Sequence, residues 1–226
     1  MSENTRILEL LKTKSSTKQE VFRNTKIVFQ QLTTILENKV NKLSSKMSEE
    51  DEFIDLSFEQ KGDFESHIMF SGDRLVFHMH SNVFDFPSSH PMHKTKYVKQ
   101  DKLRSFCGVI NIYNFLSDSF KYNRMNDAGY LIARVFINKD KHFFVEGDKQ
   151  LGFLFNDFVN QQINSVEVNK IIEESMVYAL NFDLQTPNFN DVKMVSVHQI
   201  LDMNSNQKLR TAKRMGYKFS FETNND

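Results

Sequence analysis

The chain has a single cysteine, Cys107, in 226 residues. One cysteine cannot close an internal disulfide, so a reducing compartment is the simplest setting. Cys107 lies in an apolar stretch and reads as a small core residue. Tryptophan is missing, and 22 phenylalanines take over as the main packing residue. Of only three prolines, two fall within residues 87–100, which excludes a central strand there. Net charge is also lacking. The 29 basic side chains balance 29 acidic ones, which counts against a nucleic-acid binder charged along its whole length. No run approaches the ~20 apolar residues that a membrane helix needs. The start, Met1-Ser2-Glu3-Asn4, is not basic, and Glu9 breaks the first apolar run. These absences predict a cytoplasmic protein with no membrane segment. There is no Gly-rich phosphate loop and no GxSxG elbow.

What is present has a clear layout. Residues 5–13 predict a short helix, and Ser15-Ser16-Thr17 a break. Thr17 and Glu20 fit a capping box, which predicts the start of a long helix. Phe22, Phe29, Leu36 and Leu43 recur every seven residues, as do Val21, Val28 and Ile35. A stripe this wide packs on the protein's own sheet, and its surplus suggests self-association as a second use. From residue 53 the apolar period switches to two, predicting strands at 53–59, 64–70, 75–83 and 104–115. Gly108 sits inside the last of these, where a bulge is expected. Residues 128–138 and 141–147 form a hairpin with apolar residues on both faces, so both faces should be covered. A two-residue loop at Lys139-Asp140 pairs Ile137 with His142, Phe136 with Phe143 and Val135 with Phe144. Arg134 interrupts this strand as an ion-paired or anion-binding residue. Helical periodicity spans 151–180, as one helix or two broken near Asn164-Ser165. Residues 192–201 suggest a strand, 206–215 a short basic helix and 217–221 an edge strand.

Helix, then antiparallel strands, then helix is an α+β layout. It predicts about five to seven strands flanked by a long N-terminal helix and a C-terminal helical region. The N-terminal helical segment covers 1–47 and the α+β domain 53–226, with the helix packed on that domain as one folded unit.

One hairpin, 64–83, carries candidate chemistry. Matching Phe70 to Leu75 and Ile68 to Phe77 places His67 opposite His78 and Glu65 opposite His80. Three imidazoles and a carboxylate on one face are a donor set for zinc, iron or manganese. His90 and His93 follow in the next loop as additional ligands or lids. Gly72, five residues, then His78-Met79-His80 resembles the opening of the first cupin motif. The resemblance stops there. Asp85 stands where the motif has glutamate, Met92 where it has glycine, and no second cupin motif follows.

The C-terminal cluster Lys208, Arg210, Lys213 and Arg214, next to Tyr217 and Phe219, suggests a nucleic-acid contact. The leading expectation is a non-catalytic adaptor, chaperone-like or assembly protein that binds a protein partner or itself, through Phe22, Phe29 and Leu36. A metal-dependent enzyme or sensor using Glu65, His67, His78 and His80 is the alternative, with a divalent metal as its cofactor. A nucleic-acid accessory role is the third.

Overall fold

The computed structural model describes residues 3–200. The basic cluster 208–214, the helix expected over 206–215 and the edge strand expected over 217–221 lie outside the described residues.

The N-terminal helix is longer than expected. α1 (Glu3–Leu10) runs through a π-helical turn, Leu11–Ser15, into α2 (Ser16–Glu50). Ser15-Ser16-Thr17 does not break it. The Ser16 N–H reaches back to the Leu11 carbonyl, so one extra residue is absorbed within the helix. Thr17 forms no capping box, because no side chain caps α2 and Thr17 is buried instead.

α2 buries Val21, Thr25, Val28, Phe29, Leu32, Leu36 and Val40. Phe22, Ile35 and Leu43 are partly buried along the rim of the same core. Phe29 and Leu36 are therefore spent on the protein's own sheet, and Phe22 packs against Phe64 with ring centroids 6.2 Å apart. Of the stripe Phe22–Phe29–Leu36, expected to double as a self-association surface, Phe29 and Leu36 are buried and Phe22 is half-buried at the rim.

The sheet is a simple meander of six antiparallel strands in sequence order. They are β1 (Leu56–Gln60), β2 (Glu65–Phe70), β3 (Asp73–Met79), β4 (Cys107–Leu116), β5 (Tyr130–Asn138) and β6 (Phe143–Gly147). This α+β arrangement is a single sheet. It is not the two packed sheets of a cupin-type jelly roll, so the nine-position resemblance does not extend to the fold.

One face carries Ile68, Phe70, Leu75, Phe77, Ile110, Ile112, Val135, Ile137, Phe143 and Val145, and it packs on α2 and α6 (Ser165–Leu180). A gap of only about 10 Å³ remains between helices and sheet, beside Val28 and Leu32. Gly108 sets the closest approach. A Cβ built there would lie 2.1 Å from Thr25 Oγ1, so Gly108 lets the helix cross the sheet. The irregularity of β4 lies instead at Ile112/Tyr113.

Both hairpins differ from the expected register. At the β5–β6 turn Lys141 takes a positive φ of 60°, which makes a three-residue loop. Ile137 pairs with Phe143, Phe136 with Phe144 and Val135 with Val145. The loop is held by Asn138, fully buried, whose Oδ1 accepts from the backbone N–H groups of Asp140 and His142 at 3.0 and 2.9 Å. Its Nδ2 donates to Tyr97 Oη and the Arg104 carbonyl. A shift of one residue exchanges the faces of β6. Both faces are apolar, so the pattern alone did not oppose it. At the β2–β3 turn Ser71, with φ 55°, and Gly72 form the loop, and Phe70 pairs with Asp73. The shift there is two residues, which leaves every side chain on its expected face.

The second face carries a smaller core of Cys107, Val109, Phe136, Phe144 and Phe158. The stretch 81–106 covers it with Phe86, Met92, Tyr97 and Val98 through the 3₁₀ turns Pro91–Lys94 and Lys102–Ser105 and the short helix α3 (Lys96–Gln100). Burial pushes the Cys107 thiol far above its usual range, as suits a core residue. Lower on this face lies α4 (Ser117–Lys121).

After β6 come two helices rather than one. α5 (Gln150–Leu154) is short, and Asn164 caps α6 by accepting from the N–H groups of Val166 and Glu167. The stretch expected as a strand after 192 contains none in its described part; α7 (Phe189–Val192) precedes it. No described helix is long and apolar enough to cross a membrane.

Gly108→Ala should lower stability by roughly 1–3 kcal/mol through overpacking against Thr25. Adding Thr25→Ala should recover part of that loss, as a double-mutant cycle in urea unfolding will read. Val135→Asp places an unpaired charge in the main core and should abolish soluble, cooperatively folding protein.

Candidate functional site

The face not taken by α2 alternates with the core face along each strand. Glu65, His67 and Met69 on β2 stand beside Arg74, Val76 and His78 on β3, and then Asn111, Tyr113 and Phe115 on β4. The Phe64 carbonyl accepts from the Met79 N–H, so Glu65 and His78 form a non-hydrogen-bonded pair, whose side chains stand close.

His67 is 1% exposed. Its Nε2 lies 2.8 Å from Glu65 Oε1 and its Nδ1 3.1 Å from Arg74 Nη1. A guanidinium only donates, so Nδ1 must accept, which puts the ring proton on Nε2, where it donates to Glu65. Burial drives the His67 pKa below its ordinary value. Glu65 opposes that, while Arg74 and Lys61 add to it. Geometry and charge thus agree on a neutral imidazole. Arg74 also donates to Glu59 Oε2 at 3.2 Å and stacks 4.7 Å over the Phe120 ring, which meets His67 edge-on at 5.4 Å.

Glu65, His67, Val76, His78, Tyr113, Phe115 and Phe120 line a shallow, open pocket of about 370 Å³. That lies at the small end of ligand pockets. Four of the seven walls are apolar or aromatic. With both His67 nitrogens engaged, Glu65, His78 and the Tyr113 hydroxyl are left as polar groups facing a ligand.

The pocket is one end of a longer feature. Glu65 pairs with His78, His78 with Asn111, Asn111 with Arg134, and Arg134 with Glu146. These five polar residues form one row straight across strands β2 to β6, spanning roughly 19 Å at ~4.8 Å per strand. On one side of the row lie Val109, Phe136 and Phe144, covered by Phe86. On the other lie His67 and Val76, beside Phe120. We term the strip between these two borders the trough; Arg134 and Glu146 at one end are partly open, and Asn111 at its centre is buried. Arg134, expected as ion-paired or anion-binding, is ion-paired to Glu146.

The four proposed metal donors do not converge. Glu65, His67 and His78 share the pocket, but His80 lies past the end of β2. Its ring packs 4.8 Å from Phe84, and its Nδ1 accepts from the Asn82 N–H. Among the described residues no group of three or more His, Cys, Asp or Glu is placed to hold a metal ion. His90 and His93 are not lids over the pocket. His90 Nδ1 accepts from the Met92 N–H, and His93 Nε2 bonds the Phe86 carbonyl. Sequence reasoning missed Arg74, in the stretch 71–74 read as a turn, and Phe120, in the stretch 117–127 read as loop or a short helical turn, which α4 is. Tyr113 and Phe115 were legible, since they alternate with Ile110, Ile112 and Asn114.

Searches against protein families, curated proteins and solved structures find no match for this chain.

His67 also makes stability pH-dependent. Its folded pKa lies below the unfolded value, so the unfolded chain takes up the proton first. The loss of stability begins as pH falls through ~6.5 and is complete below the lowered folded value. Urea midpoints measured from pH 7.5 to 5 should fall less steeply in His67→Gln than in the native chain.

Proposed function

We propose that this protein works by binding, holding a partner or ligand in the trough without converting it, as an adaptor or assembly component. The observation that carries this reading is the double engagement of His67. In acid–base catalysis a carboxylate orients one imidazole nitrogen and the other faces the substrate. Here the second nitrogen faces Arg74. The pocket walls also supply no serine, threonine, cysteine or lysine as a nucleophile. What the site offers is shape, aromatic surface and a few fixed polar groups.

The metal-dependent alternative gains no support from this arrangement, because both His67 nitrogens are engaged and His80 lies against Phe84, away from the pocket. Nucleic acid is disfavoured at the trough as well. The one cation of the polar row, Arg134, is paired with Glu146, which leaves no free charge there for a phosphate backbone.

Native mass spectrometry of the chain purified from its own source tests the reading. A retained species should appear, be recovered chemically unchanged after incubation, and be lost from a Val76→Trp variant that fills the pocket. A retained species that the protein converts, or one unaffected by filling the pocket, would overturn the proposal.

A further inference from the structure

We infer that the trough takes an extended segment of a protein partner, anchored by a tyrosine or tryptophan side chain in the Glu65–His78–Phe115 pocket. This rests on the binding reading and names the ligand class.

The pocket is matched to an aromatic ring that carries one donor. Val76, Tyr113, Phe115 and Phe120 supply the apolar surface, and Phe120 meets Phe115 edge-on at 5.3 Å, so the aromatic walls hold one another in place. Glu65 supplies the acceptor. Its Oε1 is held by His67, which fixes the carboxylate, and its side chain remains about one-third exposed. No hydrogen bond occupies Oε2 among the described residues. Because Arg74 and burial keep His67 neutral, the imidazole orients this carboxylate without cancelling its charge. A phenol O–H or an indole N–H completes such a site. A phenyl ring leaves the carboxylate without a partner, and a purely polar group leaves the aromatic walls unused.

The row explains why the anchor belongs to a chain. His78 is both a wall of the pocket and the second member of the row, and Asn111 stands next to it across β3 and β4. Carboxamide and imidazole both donate and accept, as a peptide backbone requires. The row ends at the Arg134–Glu146 pair, whose charges cancel. An extended backbone leaving the pocket across the strands therefore runs over neutral polar groups that can both donate and accept, with Asn111 the most buried of them. Buried aromatic anchors framed by polar contacts are the usual energetic centre of protein interfaces.

The test uses four peptides of the form acetyl-Gly-Gly-X-Gly-Gly-amide, with X tyrosine, tryptophan, phenylalanine or alanine. Each is titrated into the isotope-labelled full chain and followed by backbone amide shifts. Tyrosine and tryptophan should give saturable shifts at Glu65, Val76, His78, Asn111 and Tyr113, with phenylalanine at least about tenfold weaker and alanine weaker still. In Glu65→Leu the tyrosine and phenylalanine peptides should bind equally. Phe115→Ala, which removes a wall and leaves the acceptor, should weaken all three aromatic peptides. The inference is overturned if the tyrosine peptide gives no saturable shift at these amides. It is equally overturned if phenylalanine binds as well as tyrosine to the native chain, if Glu65→Leu keeps the preference, or if Phe115→Ala has no effect. Should the peptides fail while another species is retained unchanged in the trough, the anchor class falls and the binding reading stands.

Discussion

The crossing of α2 over β4 is the constraint on which the rest of the molecule depends. At Gly108 the backbone of the sheet has no side chain, and Thr25 fills that space. The helix can then lie along the sheet and bury Val28, Phe29, Leu32, Leu36 and Val40 against strands β1 to β5. With one face given to α2 and α6, the period of two puts most polar strand residues on the other face; Ser66, bonded to Thr33 of α2, and Asn114 stay on the core face. Glu65, His78, Asn111, Arg134 and Glu146 share a face for that reason. They share a row because the meander brings each strand into register with the next.

Among the described residues no comparable helix covers the second face. Its covers are the stretch 81–106, built from short helical turns, and the five-residue α4. The first is pinned at Tyr97 and Arg104, both bonded to Asp140, and at the buried Asn138. The second is pinned by Phe120 against His67 and Arg74. Between them the ends of the polar row stay partly open at Glu65, Arg134 and Glu146, while Asn111 at its centre is buried.

Arg74 decides the character of the site. A histidine beside a glutamate suggests a proton relay or a metal ligand. The guanidinium on the far side of the ring leaves Nδ1 only the role of acceptor. It thereby sets the tautomer, keeps the imidazole neutral and directs its proton to Glu65. The pair presents a carboxylate, held at Oε1 by His67, at the edge of an open pocket with aromatic walls.

The sequence by itself determined what periodicity and composition can carry. The α+β layout, the long amphipathic helix, the doubly covered strand 130–138 and the shared face of Glu65, His67 and His78 all follow from apolar spacing. That spacing holds even though the β2–β3 hairpin is shifted by two residues, because an even shift preserves faces. The tertiary structure decided whatever depends on loop geometry and partners distant in sequence. The one-residue shift of β6 was invisible because Phe143, Phe144 and Val145 are apolar alike, and the positive φ of Lys141 and the bonds of Asn138 chose the register. The separation of His80 from the histidine pair came from the same kind of choice, at Ser71. Arg74 reads in sequence as a turn residue, and only its place in the ladder opposite Met69, with Glu59 on one side and His67 on the other, makes it the residue that occupies the second nitrogen of His67.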